Sequence, residues 1–469
     1  MKDWDVIIIG AGGAGLAAAI AAADRGARVA VFESESEVGG STQLSAGMFT
    51  AANTSVQRAL NVDDTPEMFF QHYMDLNQWR LRPGLIKEFC DSTGPTLEWL
   101  IGLGVEFPAK YSKNAHDPGL TQAGVENIWR GHVPRDQGYG IIETLRRNCR
   151  SRQIDLILNT RVEDLLLKNN SVVGLKADGL EIAASAVIVA SGGLARNSEL
   201  LAKYYDEAVD AGDDLFVVAA QGSRGDHIKF GETANAALSG HGWGLLLVTA
   251  YLQRLHHWQS GFPPNSRIIV NQAGHRIMNE DVSYAVSPGI LRDHGGIVWT
   301  IFDEHGRQSL DSGYAHWTPE VVESEAQTGR MPRAPSLERL ARQISVPETN
   351  LTKTVDNWNA QLPNGCDPDF MRYQTLRKQG FQDILNPISE PPFYAARTRP
   401  AELVCTHTGL AIDRRAQVRN RHGDVIAGLY AAGEAGAGVL GERYVGGGNS
   451  VANALTMGRL AGLSAAAAL

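Results

Sequence analysis

The stretch WDVIIIGAGGAGLAAAIAAADRGARVAVFE, residues 4–33, decides the fold. WDVIIIG reads as a buried strand, because a short apolar run ends at a glycine. GAGGAG then sets Gly10, Gly12 and Gly15 in the GxGxxG spacing, with Gly13 and Ala14 keeping the turn small. LAAAIAAADRG is a small-residue helix that can lie close to a sheet, and ARVAVFE is a second strand ending in Glu33. Each part has a task in holding a dinucleotide. Gly10 makes the turn, Gly12 lets a pyrophosphate approach the backbone, and Gly15 allows close packing. The helix N-terminus faces the phosphates, while Glu33, with Ser34 beside it, reaches the ribose hydroxyls. The bland alternative is a structural βαβ unit with a chance glycine pattern.

Working outward, SEVGGSTQLSAGMF (residues 36–49) offers Gly39, Gly40, Ser41, Thr42, Ser45, Ala46 and Gly47. These are small residues and hydroxyls where a chain must pass close to a flat ring; the alternative is an ordinary loop. Families that attach FAD covalently use a histidine near this stretch. It has none, so non-covalent FAD is expected. Residues 60–150 read as mostly helical, with Arg130 and His132 just before a helix as a solvated or cofactor-bracing face. Residues 154–193 return to strands, from a segment containing Val162 to VIVASGG, which carries Ser191 and Gly192. In QGSRGDHIKFGETANAAL, residues 221–238, Asp226 braces either the turn or the cofactor.

From about residue 245 to 392 the glycine turns thin out and Trp258, Trp299, Trp317 and Trp358 appear. This reads as an inserted cap domain. Its most informative piece is RIIVNQAGHRIMNEDVSYAV, a strand and a turn at Gly274 followed by Arg276, Glu280 and Tyr284. The flanking segments, 1–244 and 393–469, then form one discontinuous cofactor domain. The late stretch GLYAAGEAGAGVLGERYVGGGNSVANALTMGRLAG (428–462) supplies a strand, Gly433-Glu434, a glycine loop with Tyr444, and a helix capped by Asn449 or Ser450. A helix start rich in free N–H groups, running on through Val451, suits a group that becomes anionic, such as the N1–C2=O edge of a reduced flavin. Taken alone it is also compatible with a glycine turn before a packing helix.

The bulk numbers bound the rest. With 469 residues there is room for two or three domains and a large core. A net charge of −9 argues against a nucleic-acid partner. Four scattered cysteines, Cys90, Cys149, Cys366 and Cys405, without a CxxC pair, suggest reduced thiols in the cytoplasm and no metal site. No signal peptide or membrane span is read.

The motifs GAGGAG, VGGST, VIVASGG, GSRGD, VNQAGHRIMNE, PPFYA, THTGL, GLYAAGEA and GGGNSVANALTMGRLAG together resemble the fumarate reductase/succinate dehydrogenase flavoprotein superfamily, most of all its 3-ketosteroid Δ1-dehydrogenases. The resemblance implies an α/β fold: a discontinuous Rossmann-like FAD-binding domain of the glutathione-reductase type with an inserted α+β cap. Fumarate reductases carry an arginine proton donor four residues after the Glu of the NE motif. That position here holds Tyr284, where the ketosteroid dehydrogenases place a catalytic tyrosine. Their Tyr-x-Gly-x-Gly loop matches Tyr444 to Gly448, which implies that the Tyr444 hydroxyl and the Gly448 N–H hold the substrate carbonyl. The roles of Tyr111 and His407 stay open.

The chemistry agrees. Desaturation beside a ketone needs donors for the developing enolate oxygen, a base for the α proton, and flavin N5 to accept a hydride. The expected activity is thus FAD-dependent desaturation of a cyclic ketone, with an electron acceptor the sequence does not name. An FAD-dependent reductase of enones or fumarate-type alkenes is the first alternative. A flavin-binding redox sensor without turnover is the second.

Overall fold

The computed structural model describes residues 4–112, 117–122, 128–251, 264–310, 317–378 and 384–469. Trp258, one of the four tryptophans marking the insertion, lies outside them. The chain divides into two compact units. The first comprises residues 1–209, 217–245 and 403–469, and the second residues 210–216 and 246–402.

The first unit is built on a six-stranded sheet. Its strand order is Gln417–Arg419, Val425–Ala431, Ala186–Val189, Val6–Ile9, Val29–Phe32 and Asp155–Ile157. All neighbours run parallel except the first pair, and Val6 sits opposite both Val29 and Ala186. Every residue of the three strands Val6–Ile9, Val29–Phe32 and Ala186–Val189 is buried. Continuous apolar runs are what a parallel sheet covered on both faces requires.

The first helix, Gly13–Ala23, is made only of Ala, Gly, Leu and Ile. The last helix, Asn449–Ala467, lies along it. A Cβ on Gly458 would run into the Ala14 carbonyl oxygen, and one on Gly462 into that of Ala18. Backbone thus meets backbone with no side chain between. The tight turn before the first helix has the same origin. Gly10 takes φ +102°, and a Cβ there would overlap the Ala190 carbonyl; a Cβ on Gly15 would overlap Gly10.

Two local expectations change. The last helix is capped by Gly448 in the left-handed region, φ +89°, and neither Asn449 nor Ser450 caps it. Asn449 is instead the first helical residue, buried, with its amide donating to the Tyr73 hydroxyl at 2.9 Å. The region expected to be mostly helical also holds the hairpin strands Gly119–Gln122 and Trp129–Val133. Arg130 and His132 lie on the second of these and are buried, not solvated. The Arg130 guanidinium grips Asp64 at 2.8 and 2.5 Å and lies over the Phe69 ring, while His132 Nε2 pairs with the Thr54 hydroxyl.

In the second unit the long strand Phe393–Thr406, which crosses into the first unit at its end, pairs with Val298–Phe302; that strand pairs with Ile268–Val270. Helices Leu337–Gln343 and Glu348–Gln361 add Leu340, Leu351, Val355 and Trp358 to a core with Ile268 and Val270. This is an α+β arrangement. Among the described residues no helix is long and apolar enough to cross a membrane.

The helix seam yields a test. Gly458→Val pushes a branched side chain into the Ala14 carbonyl, and overpacking of this kind costs about 1–3 kcal/mol or more. Thermal denaturation should show a clearly lowered Tm. Gly84→Ala, whose Cβ meets nothing within 4 Å, should stay within about 0.5 kcal/mol of the parent. Equal melting of both variants would remove the seam from the account of stability.

Candidate functional site

The first unit holds a cradle at the carboxyl ends of the parallel strands. Gly12 caps the first helix with extended backbone and no side-chain hydrogen bond, so the first N–H groups of the helix keep their donors for a ligand. A Cβ on Gly12 would meet nothing closer than 3.8 Å, the Gly39 carbonyl. Gly12 differs here from Gly10 and Gly15, which the protein's own packing demands. Gly13 faces the Thr42 hydroxyl, and Ala14 lies under Gly433. Glu33, at the end of its strand, accepts the Ala11 N–H at 2.7 Å on one oxygen. Its other oxygen accepts the Glu35 N–H at 3.0 Å and the Ser34 hydroxyl at 3.2 Å. The first oxygen retains a second lone-pair direction for a ribose hydroxyl.

Gly39 joins the turn by donating its N–H to the Ala11 carbonyl, and Gly40 follows it at φ +52°. Ser41 accepts the Ala220 N–H. Ser45 bonds the Thr42 carbonyl and accepts the Gly47 N–H, which fixes the bend around Ala46. Val162 is buried at the start of its strand, next to Arg161, whose guanidinium reaches Asp226 at 2.5 Å. Ser191 carries a buried hydroxyl with no protein partner, beside Gly192 at φ +75°. Glu434 accepts the Thr406 N–H at 2.9 Å; burial pushes its carboxyl up to about 7, against the lowering pull of Thr406. An uncapped helix start, an open face at Gly12, an acid at the strand end and an orphaned hydroxyl fit a dinucleotide such as FAD.

The glycine loop before the last helix carries Tyr444 and Gly448, the two loop residues singled out in the sequence. Tyr444 is buried, and its phenol oxygen accepts the Ser450 N–H at 2.9 Å. Burial, and then Cys405, raise the phenol above its usual range, so it is a proton donor at neutral pH. Gly448 could not be another residue: its φ is +89°, and a Cβ would come 2.8 Å from the Met48 carbonyl oxygen. The Thr50 hydroxyl ties down the Gly447 carbonyl at 2.6 Å. Val451 follows in the first turn and is buried.

The loop has a backing that the sequence motifs do not reveal. Tyr73 donates to the Val439 carbonyl at 2.7 Å. Asn77, one helical turn on, bonds both the carbonyl and the N–H of Arg443. The local signal is faint: two polar residues four apart on one face of the helix Pro66–Leu76 and its cap.

In the second unit Tyr284 is partly buried in the turn before helix Ser287–Asp293. The turn is anchored at Glu280, which binds Arg276 through both oxygens at 2.8 and 2.7 Å and accepts the Ile269 N–H. Burial alone would raise the neighbouring Asp281, but Arg372 and Arg267 outweigh it and hold the carboxyl below its usual value. The structure therefore gathers Tyr444, Gly448, Asn449 and Ser450 with the cofactor cradle inside the first unit, and Tyr284 belongs to the second. Tyr111 is half exposed and donates to the Leu60 carbonyl.

Residues 5–451 match the FAD binding domain family. The chain is 32% identical, over 98% of its length and 77% of the relative's, to a fumarate reductase (cytochrome) of Shewanella frigidimarina. It is 26% identical to a 3-oxosteroid 1-dehydrogenase of Mycobacterium tuberculosis, over 99% of this chain and 98% of the other. Among solved structures, the 3-ketosteroid-Δ4-(5α)-dehydrogenase of Rhodococcus jostii RHA1 superposes with a TM-score of 0.82 at 25% identity, covering 99% and 98% of the two chains.

Gly12 gives the cofactor test. Gly12→Val should fold normally, because the protein leaves space there, yet purify without flavin. Circular dichroism and absorbance at the flavin band check both halves, and full flavin occupancy would remove Gly12 from the site. Acid precipitation of the parent should release intact FAD into the supernatant; flavin retained in the pellet would show a covalent link.

Proposed function

The chain belongs to the FAD binding domain family, as an FAD-dependent oxidoreductase akin to fumarate reductases and ketosteroid dehydrogenases, and from that premise we propose that it desaturates a cyclic ketone. The observation that carries this reading is the Tyr444 phenol, kept protonated by burial and fixed in place by the Ser450 N–H, in a loop that ends on Gly448 at a helix N-terminus. The phenol and the Gly448 N–H hold the ketone oxygen. Both bonds strengthen as charge moves onto that oxygen, so they act chiefly on the transition state. Tyr284 takes the α proton. A tyrosine ordinarily ionises near pH ~10, so its turn must supply a neighbouring donor or dipole to make it a base. FAD, when bound, supplies the hydride acceptor.

A second reading, reduction of an activated alkene, draws support from the 32% identity to a fumarate reductase. Tyr284 stands where that enzyme type has its arginine, which counts against dicarboxylate reduction and leaves enones open. Anaerobic mixing separates the two. Bleaching of the oxidised flavin by a saturated ketone supports desaturation. Reoxidation of the reduced flavin by an enone, with no bleaching by ketones, supports reduction.

Two substitutions follow. Tyr284→Phe should retain FAD and ketone affinity while lowering turnover by roughly two to four orders of magnitude, the range for a general base. An unchanged turnover number would make Tyr284 a lining residue. Tyr444→Phe should lower turnover by about a hundred- to a thousandfold, the usual cost of one oxyanion donor, with a smaller loss in ketone affinity. Wild-type kinetics in that variant would detach Tyr444 from the carbonyl.

A further inference from the structure

Behind Tyr444 lies a buried cluster that the reaction does not use directly. His407 Nδ1 is 2.8 Å from the Gly441 carbonyl oxygen, and its Nε2 is 3.4 Å from Cys405 Sγ. Cys405 Sγ is also 3.4 Å from Ser450 Oγ. The His407 ring stacks on the Tyr444 ring, centroids 6.3 Å apart with 27° between planes. Both His407 and Cys405 are nearly inaccessible, at 2% and 3% exposure.

The proton positions follow from chemistry. A carbonyl only accepts, so His407 Nδ1 carries the hydrogen and donates to Gly441. Burial lowers His407 to about 4, so the ring is neutral and Nε2 is bare. Burial raises the Cys405 thiol, so it keeps its proton and donates to Nε2. The sulfur then accepts the Ser450 hydroxyl, and Ser450 in turn gives its N–H to the Tyr444 oxygen. The bonds run one way from the Ser450 hydroxyl through Cys405 and His407 to Gly441, and the Ser450 N–H points the other way, to the Tyr444 oxygen. Gly441 lies three residues before Tyr444, so the chain closes on the loop that bears the phenol.

We propose that His407 and Cys405 are positioning residues for Tyr444, which clamp its ring by stacking and its oxygen through Ser450 so that the phenol keeps one orientation toward the bound oxyanion. This rests on the reading that Tyr444 holds the substrate oxygen. The packing explains why two different groups are needed. The imidazole supplies a flat face and two opposed hydrogen-bonding ends, and the thiol spans a gap that an alanine would leave empty.

The test uses holoenzyme and 4-fluorophenol, an enolate-like probe, titrated against the flavin absorbance. His407→Phe keeps the stack and loses both hydrogen bonds; Cys405→Ala breaks the chain at its centre; Cys405→Ser restores a donor and acceptor. With flavin content unchanged, the first two should weaken phenol binding by about five- to tenfold, the effect of one or two hydrogen bonds, and Cys405→Ser should stay within about twofold of wild type. Wild-type affinity in Cys405→Ala, or Cys405→Ser as weak as Cys405→Ala, overturns the proposal. Should His407→Phe not fold, the cysteine pair decides alone. Tyr444→Phe is titrated in parallel. If it too binds phenol like wild type, the carbonyl-holding reading has failed; if it alone is weakened, only the positioning role has.

Discussion

The structure of the first unit depends on the contact between its first and last helices. Gly458 and Gly462 lay the backbone of one directly on the carbonyls of Ala14 and Ala18 in the other. Such a seam has little side-chain entropy to lose and forms dispersion contacts along its whole length. It also fixes geometry. With no long side chains between them the helices have one depth of approach, so both starts are held in register with the parallel strands. The turn at Gly12 and the glycine loop ending at Gly448 are separate in sequence and are brought together through this contact.

The second constraint is the support beneath the glycine loop. A run such as Gly446-Gly447-Gly448 has no stiffness of its own. It is held at fixed points by others: Thr50 on the Gly447 carbonyl, Tyr73 on Val439, Asn77 on Arg443, and His407 on Gly441. Precision of a site on a loop comes from such a supporting layer. In the second unit the same job falls to charge. Arg276, Arg267 and Arg372 meet Glu280, Asp281 and Asp367 in a buried network whose signs balance. Pairs of this kind contribute little net stability but destabilise strongly when one member is lost.

How much of this is legible in the sequence varies with the range of the interaction. The βαβ unit is legible because strand, turn and helix periods are local. Gly433-Glu434 is legible for the same reason. The cap of the last helix is not: Asn449 is a good capping residue by type, but the left-handed turn at Gly448 places it one position inside the helix. Arg130 reads as a solvated or cofactor-bracing charge because its counter-charge, Asp64, lies 66 residues away, and a charged residue does not announce its partner. Tyr73 and Asn77 act on residues 366 positions later, beyond any periodicity. His407 stands out by its position, yet its use needs the thiol and the loop carbonyl that only folding brings to it.

The strand order has a consequence for biosynthesis. Val425–Ala431 sits beside Ala186–Val189 in the interior of the sheet, not at an edge. A nascent chain can therefore assemble the strands Val6–Ile9, Val29–Phe32 and Asp155–Ile157 and dock Ala186–Val189 early. It then leaves an unpaired strand edge and the bare alanine face of the first helix. Both stay uncovered until the whole inserted unit has been translated and residues 425–467 emerge. Such late, long-range closure is slow and leaves apolar surface open to wrong partners. The seam that completes the first unit closes only once the final helix has arrived.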